Sequence, residues 1–230
     1  VALAFPFIAC SQTNPASDAG ADSGASALGF TPSNIATAIA GVDTTKLVAI
    51  DTTSASSIKL ECGIQPDGGC AALTATQPDG TQIDIYFARS WRIEQNAVVT
   101  AGDSKPIAIV ALTTIEIVGR VDGSAKNIDT DSGGFMGTTT SGSGKGGGAV
   151  GQSTNGTSGI GGGGGAFCGA GGAGGNAGGA FGTGGAKYGN PQLVPLVPGS
   201  AGGGAAMVGG ASGGAIQLVA GTSITVDPSG

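Results

Sequence analysis

The chain lacks histidine and has few aromatic or charged side chains. Its 230 residues include 15 acids and 9 bases, and aromatic residues make up 4%. Without histidine, a serine hydrolase triad lacks its general base and a zinc site lacks a common ligand. The net charge of -6 argues against a nucleic-acid partner, which requires a basic face. We therefore expect no enzyme, no metal and no cofactor.

Glycine is the residue present in excess. Residues 133–214 span 82 positions, of which 35 are glycine, and their only charges are Lys145 and Lys187. Fourteen of the 15 acids precede Ser132, so the two parts of the chain differ as polymers. Catalysis needs positioned ionisable groups, and this tract has almost none.

The N-terminus resembles an export signal. Nine apolar residues lead into Cys10, and Ile8 and Ala9 before it resemble the lipobox of bacterial lipoproteins. Phe7 departs from that pattern, while Ser11 resembles the state that sorts such proteins to the outer membrane. The resemblance implies lipidation of Cys10, a membrane partner through that anchor, and a cell-surface or outer-membrane location. A plain secretory signal with an incidental cysteine is the alternative.

Composition divides the rest of the chain. Residues 1–10 are predicted to be a partial signal peptide. Residues 11–29 are small and polar and are predicted to form a flexible tether. Residues 30–132 are predicted to form a β domain and 133–214 a glycine-rich insertion. Residues 215–230 are predicted to resume the β domain in a chain truncated at both ends.

The cysteines also point to an oxidising compartment. Cys62 and Cys70 bracket a segment rich in turn formers, which favours a disulfide between them. A zinc site is disfavoured because the chain has no CxxC pair. Cys168 is left over and is interpreted as a small buried residue and not a reactive thiol.

Alternating apolar residues between Phe30 and Asp131 predict short strands. A short helix is expected around 34–40, after the cap signal Thr31-Pro32-Ser33. A shift of 22 residues superposes one set of strand residues on another. The superposed pairs are Ile85 on Ile107, Ile93 on Ile115, Glu94 on Glu116, Val99 on Val121 and Ala101 on Gly123.

A second self-match crosses the glycine tract. A shift of 109 places Ile216 on Ile107 and Ile224 on Ile115. Repetition of this kind is typical of a parallel β-solenoid, whose coils stack at the strand spacing of about 4.8 Å. The predicted fold class is therefore all-β, with solenoid-like rungs and a long glycine-rich, low-complexity insertion.

A further resemblance depends on three features of the sequence. They are these strand pairs, the low-complexity start after Cys10 and the segment 188–197 within the glycine tract. The chain resembles glycine-rich, β-helix-like surface lipoproteins of bacteria and, more distantly, the filamentous-haemagglutinin type of adhesin. The resemblance implies a structural or adhesive role at the cell surface and supplies no catalytic residues.

The glycine tract has two expected states. It stays loose like a glycine-serine linker, or its backbones pack and hydrogen-bond to one another. Gly169, Gly172, Gly175 and Gly178 recur every third residue, which suits the three-residue turn of the polyproline II helix.

Two apparent binding motifs fail on inspection. Around Lys145 the pattern of a phosphate loop is broken by Thr139 and Gly146, so no nucleotide partner is expected. A loop beginning at Asp129 has Thr140 where a calcium-binding EF-hand needs a bidentate glutamate. Calcium binding by Asp122, Asp129 and Asp131 remains a weaker hypothesis than a solvated turn.

The candidate ligand-binding residues are Trp91, Glu94 and Glu116. The two carboxylates are expected to stack in successive rungs, and paired carboxylates can act on glycosides. Trp91, with Tyr86 and Arg92, is suited either to stacking on a sugar or to capping the interior.

The function predicted from sequence is that of a non-enzymatic structural or adhesive lipoprotein of the cell surface. Extracellular polysaccharide or matrix is the expected contact. A carbohydrate-binding or polysaccharide-processing β-helix is the first alternative, and a glycine bundle that binds ice or another flat surface is the second.

Overall fold

A computed structural model gives the structure of the chain. It describes residues 28, 32–52, 58–59, 70–100, 105–125, 133–152, 161–175, 180–205 and 207–227. Regular structure consists of helix α1 (Ala36–Ala40), a 3-10 turn (Thr44–Lys46) and eleven strands among these residues. The strands are β1 (Ala49–Thr52), β2 (Ile58–Lys59), β3 (Ala71–Thr76), β4 (Gln82–Ala88), β5 (Ser90–Ile93), β6 (Val98–Thr100), β7 (Ile107–Ala111), β8 (Thr114–Ile117), β9 (Arg120–Asp122), β10 (Ile216–Ala220) and β11 (Ser223–Val226).

The strands form three sheets, with the orders β1-β5-β8-β11, β10-β7-β4-β3 and β2-β6-β9. Consecutive strands enter different sheets: β4, β5 and β6 each join a different one, as do β7, β8 and β9. Short corners between strands therefore build all three sheets together.

The prediction of an all-β parallel solenoid is wrong. Strand β3 pairs antiparallel with β4, so the sheet β10-β7-β4-β3 is mixed and not parallel. Helix α1 packs against β3 of this sheet. The cause is the turn between these two strands, where Gly80 N–H donates to the Gln77 carbonyl and Gly80 has a φ of 82°. A Pro-Asp-Gly turn of this kind reverses the chain and makes a hairpin.

The uniform 22-residue period is also wrong at two of its three strand pairs. Val121 pairs with Val99 as expected, but Ile107 pairs with Asp84 and not with Ile85. Ile115 pairs with Trp91, an offset of 24 against 23 for Ile107 and Asp84, because one residue separates β4 from β5 whereas two separate β7 from β8. A one-residue slip moves a side chain to the other face of the sheet. Ala101 lies outside the described residues.

The pairing across the glycine tract is confirmed. Ile216 pairs with Ile107 and Ile224 pairs with Ile115, both in parallel register at the predicted offset of 109. The expected short helix is also confirmed as α1. Its N-cap is Ile35, without a side-chain cap bond, so the Thr31-Pro32-Ser33 signal does not cap it.

Strand β7 is the centre of the core because both of its faces are covered. All five of its residues are buried, as expected for an internal strand. Ile107, Ile109 and Ala111 join one apolar cluster with β5 and β8. Ala108 and Val110 join a second cluster that includes α1 residues and Leu196 from the glycine tract.

Candidate functional site

The glycine tract is an ordered bundle of extended segments linked by backbone hydrogen bonds. The first of the two expected states, a loose linker, is therefore excluded for the described residues. Seven segments of the described tract contribute to the bundle: I (135–143), II (146–152), III (161–166), IV (171–175), V (180–186), VI (200–205) and VII (207–212).

Hydrogen bonds between segments recur every third residue. In segment III, Gly161 and Gly164 donate to segment IV, while Gly163 and Ala166 donate to segment II. Different faces of one segment therefore form hydrogen bonds with different neighbouring segments. A three-residue repeat is the turn of a polyproline II helix, so the period expected from the sequence is confirmed.

The neighbours of each segment define two layers. Segments V, II and I are linked side by side in one layer, and IV, III, VI and VII in the other. Further bonds cross between them, such as Gly171 N–H to the Gly185 carbonyl, with nitrogen and oxygen 3.0 Å apart. Backbone groups that would need water in a loose linker are therefore paired inside the bundle.

Glycine is required at many of the contacts between segments. A Cβ added at Gly163 would overlap the Thr183 carbonyl oxygen, and one at Gly184 would overlap that of Gly171. Any side chain at these positions would separate the segments and break the hydrogen bonds between them.

Other glycines of the bundle face open space. A Cβ at Gly169, Gly172, Gly175, Gly210 or Gly213 would meet no atom within 4 Å. These positions lie on segments IV and VII and beside them, at the two ends of the same layer. The described members of the every-third-residue series that begins at Gly169 face outward and do not form the packing contacts. We call these five residues, which form the open sides of segments IV and VII at the two ends of the layer, the open glycine face.

A buried amide network joins the bundle to the sheets. Gln77, at the end of β3, accepts a hydrogen bond from Leu196 N–H (2.7 Å) and donates one to the Leu196 carbonyl (2.8 Å). Asn34, beside α1, donates to Gln77 and to Gln217 of β10. Because Gln77 is 2% exposed, losing a partner here would leave a buried polar group unpaired.

A second contact between bundle and sheet is electrostatic. Lys145 of the tract forms an ion pair with Asp79 of the β3–β4 turn. Partial burial alone would raise the pKa of Asp79, but hydrogen bonds from Lys145 and Thr81 outweigh it and hold that pKa below its ordinary value. One of the two charges of the tract thus serves attachment.

Tyr188 closes one end of the bundle. Its hydroxyl donates to the Pro198 carbonyl (2.5 Å) and accepts from Ser200 (2.8 Å), and its ring meets Phe167 edge to face. Burial raises the pKa of Tyr188 despite the Ser200 hydrogen bond. Aromatic residues at this end supply the side-chain packing that glycine lacks.

The residues predicted to bind ligand do not form one exposed site. Trp91 is 3% exposed, and its indole N–H donates to the Val110 carbonyl at 2.8 Å. Its ring therefore packs in the core, the second of the two roles foreseen for it.

The predicted stacking of Glu94 on Glu116 is wrong, because Glu116 pairs with Arg92. Arg92 forms ion pairs with both carboxylates. Its pKa is raised, first by the hydrogen bond with Glu94 and then by the negative charges of Glu116 and Glu94. The cluster is a surface ion-pair group in which one guanidinium bridges two carboxylates, and not a pair of acids poised over a substrate.

The predicted cysteine sites are only partly described. Cys10 and Cys62 lie outside the described residues, so lipidation and the Cys62–Cys70 bond stay predictions. Cys70 and Cys168 are each disulfide-bonded, whereas sequence reasoning left Cys168 without a partner.

Metal sites are not found in the described part of the chain, where no group of three or more cysteines or acids could hold an ion. Asp122 pairs with Arg120 at 3.0 Å, while Asp129 and Asp131 lie outside the described residues. No helix among the described residues has the length and apolarity to cross a bilayer.

Comparisons with known proteins return no relative. No protein-family model matches the chain, and neither a curated protein nor a solved structure matches it significantly. Any functional conclusion therefore depends on the residues and geometry of this chain.

Proposed function

We propose that the protein is a non-enzymatic structural or adhesive protein of the bacterial cell surface, anchored through a lipid on Cys10. The observation that carries the proposal is the open glycine face on a hydrogen-bonded bundle. Glycine is not needed there for packing, and no positive φ is recorded at any of the five positions. Backbone without side chains instead lets another surface approach closely.

The composition of the bundle supports contact and not catalysis. Its charged side chains are Lys145, paired with Asp79, and Lys187, which is exposed. Contact would come from repeated backbone groups and small side chains over an area. The lipid anchor would hold the molecule at the membrane, and extracellular polysaccharide or matrix would be the opposing surface.

Two variants test the contact surface in cells that display the protein. Replacing Gly172 and Gly175 with lysine introduces long charged side chains on the open glycine face, whereas Thr76→Lys places one on an exposed residue of β3. We expect attachment to polysaccharide-coated surfaces to fall in the first variant and to persist in the control. Equal attachment by both would exclude the open face as the contact surface.

Anchoring is tested separately by Cys10→Ser. We expect this change to abolish incorporation of labelled palmitate and to release the protein from the membrane fraction. Retention of the label would contradict lipidation at this residue.

The open face also favours a second candidate, binding to ice. Glycines at every third position of an extended segment repeat at about 9 Å, given a rise of about 3.1 Å per residue, and a regular lattice requires such a repeat. Purified protein should then show thermal hysteresis that Gly172→Tyr removes. No hysteresis in the unaltered protein would eliminate this candidate and leave the adhesive proposal untouched.

A further inference from the structure

A cleft lies away from the bundle, on the face of β3 and β4 that is turned from α1. Its volume is about 210 Å³. Its lining residues are Ala72, Leu73, Thr74, Asp84, Tyr86 and Lys105. A cleft of this volume has room for several water molecules, which is enough for a single sugar ring.

The cleft forms where an aliphatic column becomes polar. Pairing across the sheet aligns Ile216, Ile107, Asp84 and Thr74 in one column. The first two positions are aliphatic and the next two carry a carboxylate and a hydroxyl. Such a local departure from an otherwise apolar pattern is typical of functional positions.

The neighbouring column places an aromatic ring beside these groups. Here Leu218, Ile109, Tyr86 and Ala72 are aligned. Tyr86 packs against the apolar cluster and also lines the cleft, while the small Ala72 leaves room in front of it. A half-buried ring of this kind can offer one face to the apolar side of a ligand.

The polar groups of the cleft converge on Asp84. Its Oδ2 accepts from Lys105 Nζ at 2.6 Å, and its Oδ1 accepts from the Thr74 hydroxyl at 2.7 Å. The lysine and aspartate side chains are 32% and 18% exposed, and this is the only described ion pair with both partners less than a third exposed. Partly buried ion pairs contribute little to stability compared with apolar packing, so stability alone does not explain this one.

We propose that this cleft binds one sugar residue of a glycan, with Tyr86 stacking on the ring and Asp84 accepting its hydroxyls. A carboxylate offers about four acceptor sites, and the described bonds to Asp84 use two. Because the two charges lie together, a bare cation or anion is repelled by one of them, which favours a neutral, hydroxyl-rich ligand. This site goes beyond the adhesive surface proposed above. The two sites have no residues in common, so either proposal can be correct without the other.

Saturation-transfer NMR on the full chain tests the site. The probes are glucose, galactose, mannose and N-acetylglucosamine, each added alone at millimolar concentration. We expect transfer to the ring protons of at least one of them. Asp84→Asn, which keeps the side-chain shape, and Tyr86→Leu, which removes the ring, should each weaken binding by about tenfold or more.

Controls separate binding from folding. Asp51→Asn alters an exposed carboxylate of β1 and should leave the affinity unchanged, and Tyr86→Phe should retain it. Melting curves verify that each variant is folded. If Tyr86→Leu does not fold, Lys105→Met takes its place, with the same expected loss.

Three outcomes would overturn the proposal. They are no transfer to any of the four sugars, undiminished transfer in folded Asp84→Asn, and transfer to a zwitterionic amino acid such as alanine without transfer to a sugar. A negative result here leaves the attachment assays on the open glycine face unaffected, so the two proposals fail separately.

Discussion

At the scale of single residues, glycine has two different roles in this protein. At Gly163 and Gly184 the absence of a side chain lets backbones touch, whereas at Gly172 and Gly175 it leaves a bare surface. Composition cannot distinguish the two roles because the residue type is the same. The distinction depends on which side of a three-residue turn faces a neighbouring segment.

The two roles predict opposite effects of adding one methyl group. Gly163→Ala forces a Cβ onto the Thr183 carbonyl, so we expect a loss of several kcal/mol, since overpacking of about this size costs typically 1–3 kcal/mol even where neighbours can move. Gly172→Ala meets nothing and restricts the unfolded chain, which stabilises by about 0.4–1 kcal/mol. Urea denaturation of both variants measures the difference, and similar losses in both would contradict the assignment of faces.

At the scale of elements, the contacts between bundle and sheet are few and specific. Gln77 binds both backbone groups of Leu196, and Asn34 connects that contact to β10 through Gln217. Leu196 is itself buried in the cluster beneath α1. One amide side chain therefore fixes the position of a loop that has no regular structure of its own.

We expect Gln77→Met to loosen this attachment. The variant keeps the side-chain volume but leaves two buried backbone groups unpaired, at a cost of about 1–3 kcal/mol for each group that stays dry. Amide hydrogen exchange at Leu196 and Val197 should accelerate, because the Gln77 side chain no longer holds this segment in place. Gln82→Met, on the exposed start of β4, should change neither exchange nor stability, and equal acceleration in both variants would rule out the network as the cause.

The ion pair between Lys145 and Asp79 makes the attachment sensitive to acid. Because the pKa of Asp79 is lowered in the folded protein, its contribution to stability is complete above the ordinary aspartate pKa of about 3.9. That contribution is lost as the pH falls through the lowered folded value. Melting temperatures between neutral and strongly acidic pH should therefore converge for the unaltered protein and Asp79→Asn, with the unaltered protein higher only at neutral pH. A constant difference across this range would contradict the assignment.

At the scale of the whole molecule, backbone hydrogen bonds join the bundle to the sheets where the two parts meet. Gly214 N–H donates to the Gly123 carbonyl at 2.5 Å and Ala125 N–H donates to that of Ser212 at 3.1 Å, so the tract leaves and re-enters the sheets at one place. Strand β10 then pairs with β7. The bundle cannot move away without straining the central sheet.

This sharing predicts one cooperative unfolding transition. In calorimetry the measured enthalpy should equal the van't Hoff enthalpy, as for a two-state domain. Far-ultraviolet signals from the sheets and hydrogen exchange in segment III should report the same midpoint. Two separate transitions would show that the bundle folds independently of the sheets.

Much of the local structure could be predicted from the sequence. The strand residues, the short helix and the offset of 109 follow from apolar alternation and self-similarity, because period-2 patterns and repeated strands are local signals. The register between β4 and β7 could not be predicted from a uniform period. Their pairing offset is 23 residues and not 22, and a one-residue slip moves every side chain to the opposite face.

The candidate sites divide in the same way. The sequence identified Trp91, Glu94 and Glu116 by residue type, but the fold buries the first and pairs the third with Arg92. The Asp84–Lys105 cleft was missed because its residues come from β3, β4 and the segment before β7. The strand pattern gave no signal for Asp84, because Ile83-Asp84-Ile85 is the ordinary alternation of a half-buried strand.

By itself, the sequence determined where strands form and which chemistry the glycine tract cannot perform, because both depend on the types and spacing of neighbouring residues. Tertiary structure alone decided that the tract is ordered, which glycines face outward and which polar groups meet. These properties depend on contacts between residues far apart in the chain, where one backbone either fits against another or does not.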